Sequence, residues 1–134
     1  MNPDDYLKNA KAYFWDESFA IIKSDCIYQD AFANITDKDE ITVIIDQSKL
    51  GKNSSLEIEN RKLTEPEKDW KILTLDVIFS LDTVGILAKI SGVLAERGIS
   101  IMAISAYSRD HFLIREKDIP EAVGALQSLG ISIE

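Results

Sequence analysis

Over residues 71–97 the spacing of apolar side chains changes once, and that change leaves few folds open. In KILTLDVIF (71–79), Leu73, Leu75, Val77 and Phe79 alternate with Ile72, Thr74, Asp76 and Ile78. A run this apolar on both alternating faces is a well-buried strand. Beyond SLDT the residues Ile86, Leu87, Ile90, Val93 and Leu94 recur at helical spacing, with Lys89, Glu96 and Arg97 off the stripe. The expectation is therefore strand, turn and a helix over 84–97. Asp82 or Thr83 would cap its N-terminus, and Gly98 would take the left-handed position that closes it.

Next, ISIMAISAY, the polar SRD and HFLIR read as a hairpin of two strands with its turn near Ser108 to Asp110. DIPE then starts a second helix, with Asp118 at the N-cap, Pro120 in the first turn and Glu121 three residues past the cap. Ile119, Ala122, Val123, Leu126 and Leu129 form its apolar stripe, Gly130 ends it, and ISIE supplies a last edge strand. The order over 70–134 is βαββαβ, the ferredoxin-like α+β plan: an antiparallel sheet with helices on one face. The first half is sparser. FAIIKS (19–24) reads as a strand and ANITDKDEITVIID as a hairpin, with no convincing helix between them. DEITVIIDQSKL (39–50) and RDHFLIREKDIP (109–120) both set an acid before an apolar strand that runs into a polar helix start, a weak internal repeat. GKNSSLEIENRKLTEPEKD (51–69) reads as a connection with one short strand around Leu56 to Ile58. Two modules are expected, 1–66 abbreviated and 67–134 complete.

Charge and composition exclude several functions. With 23 acids against 15 bases the formal net charge is −8, which repels phosphate backbones and argues against a nucleic acid partner. One cysteine, Cys26, and one histidine, His111, rule out the spacings of a structural zinc site. No apolar run is long enough to span a bilayer, and the opening MNPDDYLKNAKAYFW carries acids where a signal peptide carries bases, so a cytoplasmic protein without a membrane anchor is expected. His111 lacks a companion nucleophile, since Cys26 lies in the other half. An arginine-cradled phosphate loop for acyl-phosphate hydrolysis is missing, and the central strands offer aliphatic rather than aromatic residues to RNA. The expectation is a protein that is not an enzyme and that uses neither cofactor nor metal.

SLDTVGILAKISGVLAERGISI resembles the ACT domain, a small-ligand-sensing module built as a strand, an Asp-x-Pro-Gly-like turn, a helix and a Gly-Ile/Asn-Ile strand start. SAYSRDHFLIR and FANITDKDE further resemble a paired-ACT subfamily that includes small bacterial ACT proteins and the cytosolic arginine sensors of the TOR pathway. Val84 stands where most ACT domains have proline, Arg109 where a threonine is usual and His111 where an aromatic is usual. The resemblance implies a ferredoxin-like ACT domain preceded by an ACT-like module, and a small-molecule ligand, an amino acid. A helix N-terminus offers unpaired N–H groups and a positive dipole end to a carboxylate, and Gly85 lets it approach. Asp82 and Asp110 are the acids placed for an ammonium group, and Ser105 offers a hydroxyl. The candidate ligand-binding residues are thus Asp82, Thr83, Val84, Gly85, Ile86, Ser105 and Asp110. The expected assembly is a homodimer acting on a regulated protein; the alternative is a dimerisation or protein-interaction module without ligand.

Overall fold

The computed structural model describes residues 2–50, 57–58, 61–62 and 65–134. In chain order the elements are α1 (Pro3–Leu7), β1 (Lys11–Phe14), β2 (Phe19–Ser24), β3 (Ala33–Thr36), β4 (Ile41–Asp46), β5 (Glu57–Ile58), β6 (Arg61–Lys62), β7 (Glu67–Leu75), α2 (Ile86–Glu96), β8 (Ile101–Ser105), β9 (Asp110–Arg115), α3 (Ile119–Gln127) and β10 (Ser132–Ile133), with single 3-10 turns at Gln47–Leu50 and Glu116–Asp118. Where the sequence placed one boundary near residue 66, the contacts divide the chain at two places: one compact unit holds 1–15 and 71–134, the other 16–70.

In the first unit the strand order is β10-β1-β7-β9-β8. The βαββαβ expected from 70–134 is present, with a further strand from the N-terminus set into it. Ala12, Tyr13 and Phe14 pair antiparallel with Leu75, Thr74 and Leu73, while Lys11 and Ala12 pair parallel with Ser132 and Ile133. The tail ISIE therefore forms its edge strand against β1. Strand β7 also stops short of the expected Phe79, ending at Leu75. Past that point the backbone bonds one at a time, Asp76 N–H to Lys11 O at 2.7 Å and Phe79 N–H to Ser108 O at 3.3 Å.

One face of this sheet carries the core. Leu73 and Leu75 of β7 and Phe112 and Ile114 of β9 pack with Ile86, Ile90 and Leu94 of α2, Ala122, Ala125 and Leu126 of α3, and Leu7 of α1. Leu94, Phe112, Ile114 and Leu126 are fully buried, each worth about 1.5–3 kcal/mol of transfer free energy. Both long helices end alike. Gly98 N–H bonds Ala95 O and Ile99 N–H bonds Leu94 O; Gly130 N–H bonds Gln127 O and Ile131 N–H bonds Leu126 O. These are Schellman ends, and Gly98 (φ 72°) and Gly130 (φ 88°) supply the left-handed residue each requires.

The second unit is built of antiparallel strands. β2 pairs with β4 over six residue pairs, Phe19↔Asp46 to Ser24↔Ile41, and β3 pairs with the other side of β4. Asp37 Oδ1 accepts from Asp39 N–H and Glu40 N–H, which closes the β3–β4 turn. The first residues of β7 continue the sheet beside β2, with a register shift between Phe19 and Ile21. Asp69 adopts φ 65° there, and Gln47 holds it on both sides, Nε2 to Asp69 Oδ1 at 3.0 Å and Asp69 N–H to Gln47 Oε1 at 2.8 Å. Ala20, Ile22, Val43, Ile45 and Leu50 form its core. Among the described residues this unit contains no α-helix, and none lies between β2 and β3, where the sequence showed no convincing long one. Of the strand anticipated at Leu56 to Ile58, Glu57–Ile58 forms β5, paired with β6; Leu56 lies outside the described residues.

The two helix-closing glycines separate conformation from crowding. A Cβ at Gly98 meets nothing within 4 Å, whereas one at Gly130 lies 3.1 Å from Lys8 Cα. Gly98→Ala should cost about 1–2 kcal/mol, the left-handed penalty alone, and Gly130→Ala should cost more. Urea unfolding of both variants checks this, with equal costs if the Lys8 backbone yields freely.

Candidate functional site

The start of α2 departs from expectation in a way that shapes everything beside it. Neither Asp82 nor Thr83 caps the helix. The N-cap residue is Gly85, in the left-handed conformation at φ 93°, with no side-chain cap hydrogen bond. Asp82 and Thr83 instead belong to the turn before it, with Asp82 N–H on Ser80 Oγ at 3.0 Å and Thr83 N–H on Ser80 O at 3.0 Å. A Cβ at Gly85 would lie 2.7 Å from Pro3 Cγ. Glycine is therefore required twice over, by its φ and by the α1 side chain set against it. The first intrahelical bond runs from Lys89 N–H to Gly85 O, so the amides of Ile86, Leu87 and Ala88 have no partner within the helix.

Beside this helix start lies a cleft of about 570 Å³. Helix α2 and its N-cap contribute Gly85, Ile86, Leu87, Ala88 and Ser91; the preceding segment contributes Phe79, Ser80, Leu81 and Thr83; the β8–β9 hairpin contributes Ser105, Ala106, Tyr107, Ser108 and Asp110. The hairpin turn comprises residues 106–109, closed by Ala106 N–H to Arg109 O at 3.0 Å, and Asp110 pairs with Ser105 as the first residue of β9. Phe79 is steadied by an edge-to-face contact with Tyr6, ring centroids 5.9 Å apart.

Of the residues singled out from the sequence, Thr83, Gly85, Ile86, Ser105 and Asp110 come together in this cleft. Asp82 and Val84 do not line it; Asp82 is exposed and Val84 is 80% exposed. Leu87, assigned by periodicity to the core stripe, is 41% exposed and lines the cleft. Leu87 and Ser91 stand four residues apart and Ala88 and Ser91 three apart, so they share one helix face; that spacing was the signal that could have found this wall. The Asp110 carboxylate is half-buried, beside Arg109 and His111, and makes no hydrogen bond or ion pair among the described residues.

His111 belongs to a different constellation. Thr74 Oγ1, fully buried, accepts from Trp15 Nε1 at 2.8 Å and lies 2.8 Å from His111 Nδ1. Once the hydroxyl accepts the indole proton, it has its own hydrogen to donate to a neutral ring. Burial depresses the His111 pKa below the usual 6.5; Asp110 opposes this and Arg109 adds to it.

Residues 65–128 match the family model of the ACT domain. The fold is a mixed α+β, ferredoxin-like fold that matches that of ACT domains. No curated protein matches the chain in sequence. Solved structures do match in fold: a protein from Agrobacterium tumefaciens at 19% identity, covering 94% of this chain and 92% of that one with a TM-score of 0.76, and a Vibrio cholerae protein of unknown function, described as a possible transport protein, at 21% identity, 92% of each chain and a TM-score of 0.73. The regulatory subunit of aspartate kinase from Thermus thermophilus, in its ligand-free form, matches at 13% identity over 92% of this chain and 97% of that one, with a TM-score of 0.69. The cleft and every residue lining it lie within the ACT match. Among the described residues no helix is long and apolar enough to cross a membrane.

The His111 network sets a pH dependence. A histidine whose folded pKa lies below its unfolded value binds its proton more readily unfolded, so its contribution to stability is fully present above about 6.5 and is lost as pH falls from there through the folded value. Unfolding free energies measured between pH 7.5 and 5 should therefore fall more steeply in the native protein than in His111→Gln; equal slopes would remove His111 as a source.

Proposed function

We propose that the protein is a non-catalytic regulatory sensor that binds a small molecule, an amino acid, in the cleft between the start of α2 and the β8–β9 hairpin. The observation that carries this reading is the pairing of complementary groups around one cleft. The helix-start residues Ile86, Leu87 and Ala88 bring amides without intrahelical partners, and the hairpin brings Asp110, a carboxylate that makes no hydrogen bond or ion pair among the described residues. Backbone amides at a helix start attract a carboxylate, and Asp110 accepts from an ammonium group. Thr83, Gly85, Ile86, Ser105 and Asp110 form the proposed contact set, while Asp82 and Val84 act by shaping the turn that precedes it. The likeness to an aspartate kinase regulatory subunit supports the regulatory half of the reading. No catalytic family is indicated by the comparisons, and no cofactor or metal is invoked.

The finer assignments rest on the same footing: residues 1–66 as an abbreviated ACT-like module and 67–134 as the ACT domain, the kinship of SAYSRDHFLIR and FANITDKDE with the paired-ACT subfamily and the TOR-pathway arginine sensors, action in the cytoplasm, a homodimer, and a regulated protein downstream. A second reading, a dimerisation or interaction module without ligand, is favoured by the exposure of Leu81 (74%), Val84 (80%) and Tyr107 (82%) around the cleft and by β8, which pairs only with β9 among the described strands.

A thermal-shift screen of the twenty amino acids separates the two. A ligand at 100 times its dissociation constant stabilises the native state by about 2.7 kcal/mol, which raises the midpoint by several degrees; a flat screen across all twenty leaves the interaction module as the reading. For any ligand found, Asp110→Asn should weaken binding by about 1.5–3 kcal/mol with little loss of stability. Unchanged affinity would confine Asp110 to its turn.

A further inference from the structure

The charges around the cleft say which side chain an amino acid bound there would carry. Among the residues lining it, Asp110 is the only charged one and no lysine, arginine or histidine is present. The two nearest cations along the chain are each committed elsewhere. Lys89 Nζ lies 3.0 Å from Asp4 Oδ1, and Arg109 Nε lies 3.0 Å from Asp76 Oδ1. The remaining lining is carbon and hydroxyl: Leu81, Leu87, Ala88 and Tyr107 present apolar surface, and Ser91 and Ser108 present uncharged polar groups.

We infer that the cleft is selective for an amino acid with a neutral, apolar side chain. This rests on the proposed reading of the cleft as an amino-acid site and narrows it. The α-carboxylate and α-ammonium consume the charge complement the cleft has, the helix-start amides and Asp110. A second carboxylate, as in aspartate or glutamate, finds no cation and faces Asp110. A second cation, as in lysine or arginine, must share Asp110 with the ammonium group or stand unpaired in a partly desolvated cleft. An aliphatic or aromatic side chain meets neither penalty and covers Leu87 and Leu81, both now open to water.

Calorimetry on the full chain tests this with L-leucine, L-isoleucine, L-valine and L-phenylalanine against L-lysine, L-arginine, L-aspartate and L-glutamate. The tightest binder should belong to the first group, by about tenfold or more over every member of the second, the difference expected when a charge is left unpaired. Leu87→Glu tests the wall directly. Leu87 is 41% exposed in the first turn of α2, where an acid suits the helix dipole, so the fold should persist. The affinity for the tightest apolar amino acid should fall about tenfold or more, with circular dichroism unchanged. A charged-side-chain amino acid binding tightest, or Leu87→Glu without effect on affinity, overturns the selectivity while leaving the amino-acid site standing. Failure of all eight, and of the other twelve, overturns the site itself and the selectivity with it.

Discussion

At the entrance to α2 the backbone must turn left-handed while passing within reach of Pro3, and glycine alone satisfies both demands. Gly85 at φ 93°, with the place of its missing Cβ only 2.7 Å from Pro3 Cγ, fixes where the helix begins. It also decides what the helix end looks like. A serine or aspartate at this position would place an oxygen over the N2 or N3 amide and satisfy it internally. Glycine leaves those amides unmasked and offers no side chain to the cleft beside them. The cost is small, because glycine in place of a capping serine or aspartate gives up only about a few tenths of a kcal/mol, and it is offset by Ile86, Ile90 and Leu94 packing into the core directly behind. Strong burial on one face of α2 permits a weak, open end on the other.

The same constraint ties the N-terminal residues to the site. Pro3 belongs to α1, whose Leu7 is fully buried in the core it shares with α2, and whose Tyr6 meets Phe79 edge to face. Phe79 lines the cleft. Residues 1–15 thus act on the cleft without lining it: α1 stands against Gly85, Tyr6 braces Phe79, and β1 supplies Lys11 O to hold Asp76 as the chain leaves β7. A change at Tyr6 or Pro3 reaches the cleft through these contacts, which makes the N-terminal segment a positioning element for it.

Elements with a long, clean period were legible in the sequence. The stripe Ile86, Ile90, Leu94 is buried as its spacing required, the hairpin 101–115 pairs as its apolar runs required, and both helices end at the glycines that marked them. What escaped reading has a physical cause in each case. β1 is four residues long, too short to carry a period, and although ISIE was read as an edge strand, its parallel pairing with β1 joins segments far apart in the chain. The N-cap was misplaced because Asp82 and Thr83 have the chemistry of caps, and only the conformation of Gly85 shows that the helix starts three residues later than Thr83. Leu87 was assigned to the core because an apolar residue at helical spacing looks the same whether it faces other protein or a cleft. Of the residues that line the candidate cleft, Thr83, Gly85, Ile86, Ser105 and Asp110 were named from the sequence; Leu87, Ala88 and Ser91 were not, since such residues on a helix carry no residue-type signature of a cleft.

The acidity of the chain gives the cleft its particular character. A formal charge of −8 sets a background that disfavours anions, and the cations nearest the cleft are held by Asp4 and Asp76. Exposed ion pairs like these contribute about 0–1 kcal/mol each to stability, so their importance is positional. By keeping Lys89 and Arg109 at their carboxylates, they leave neutral backbone dipoles as the attraction the cleft has for a carboxylate. Dipoles fixed in a helix end act over a few ångströms and demand close approach, whereas a lysine would draw anions from a Debye length of about 8 Å. Phosphate, which a helix end can also attract, meets here an acidic background and the Asp110 carboxylate. On the proposed reading the arrangement favours a compact carboxylate that seats against the backbone, with Asp110 across the cleft to accept from a positive charge on the same molecule.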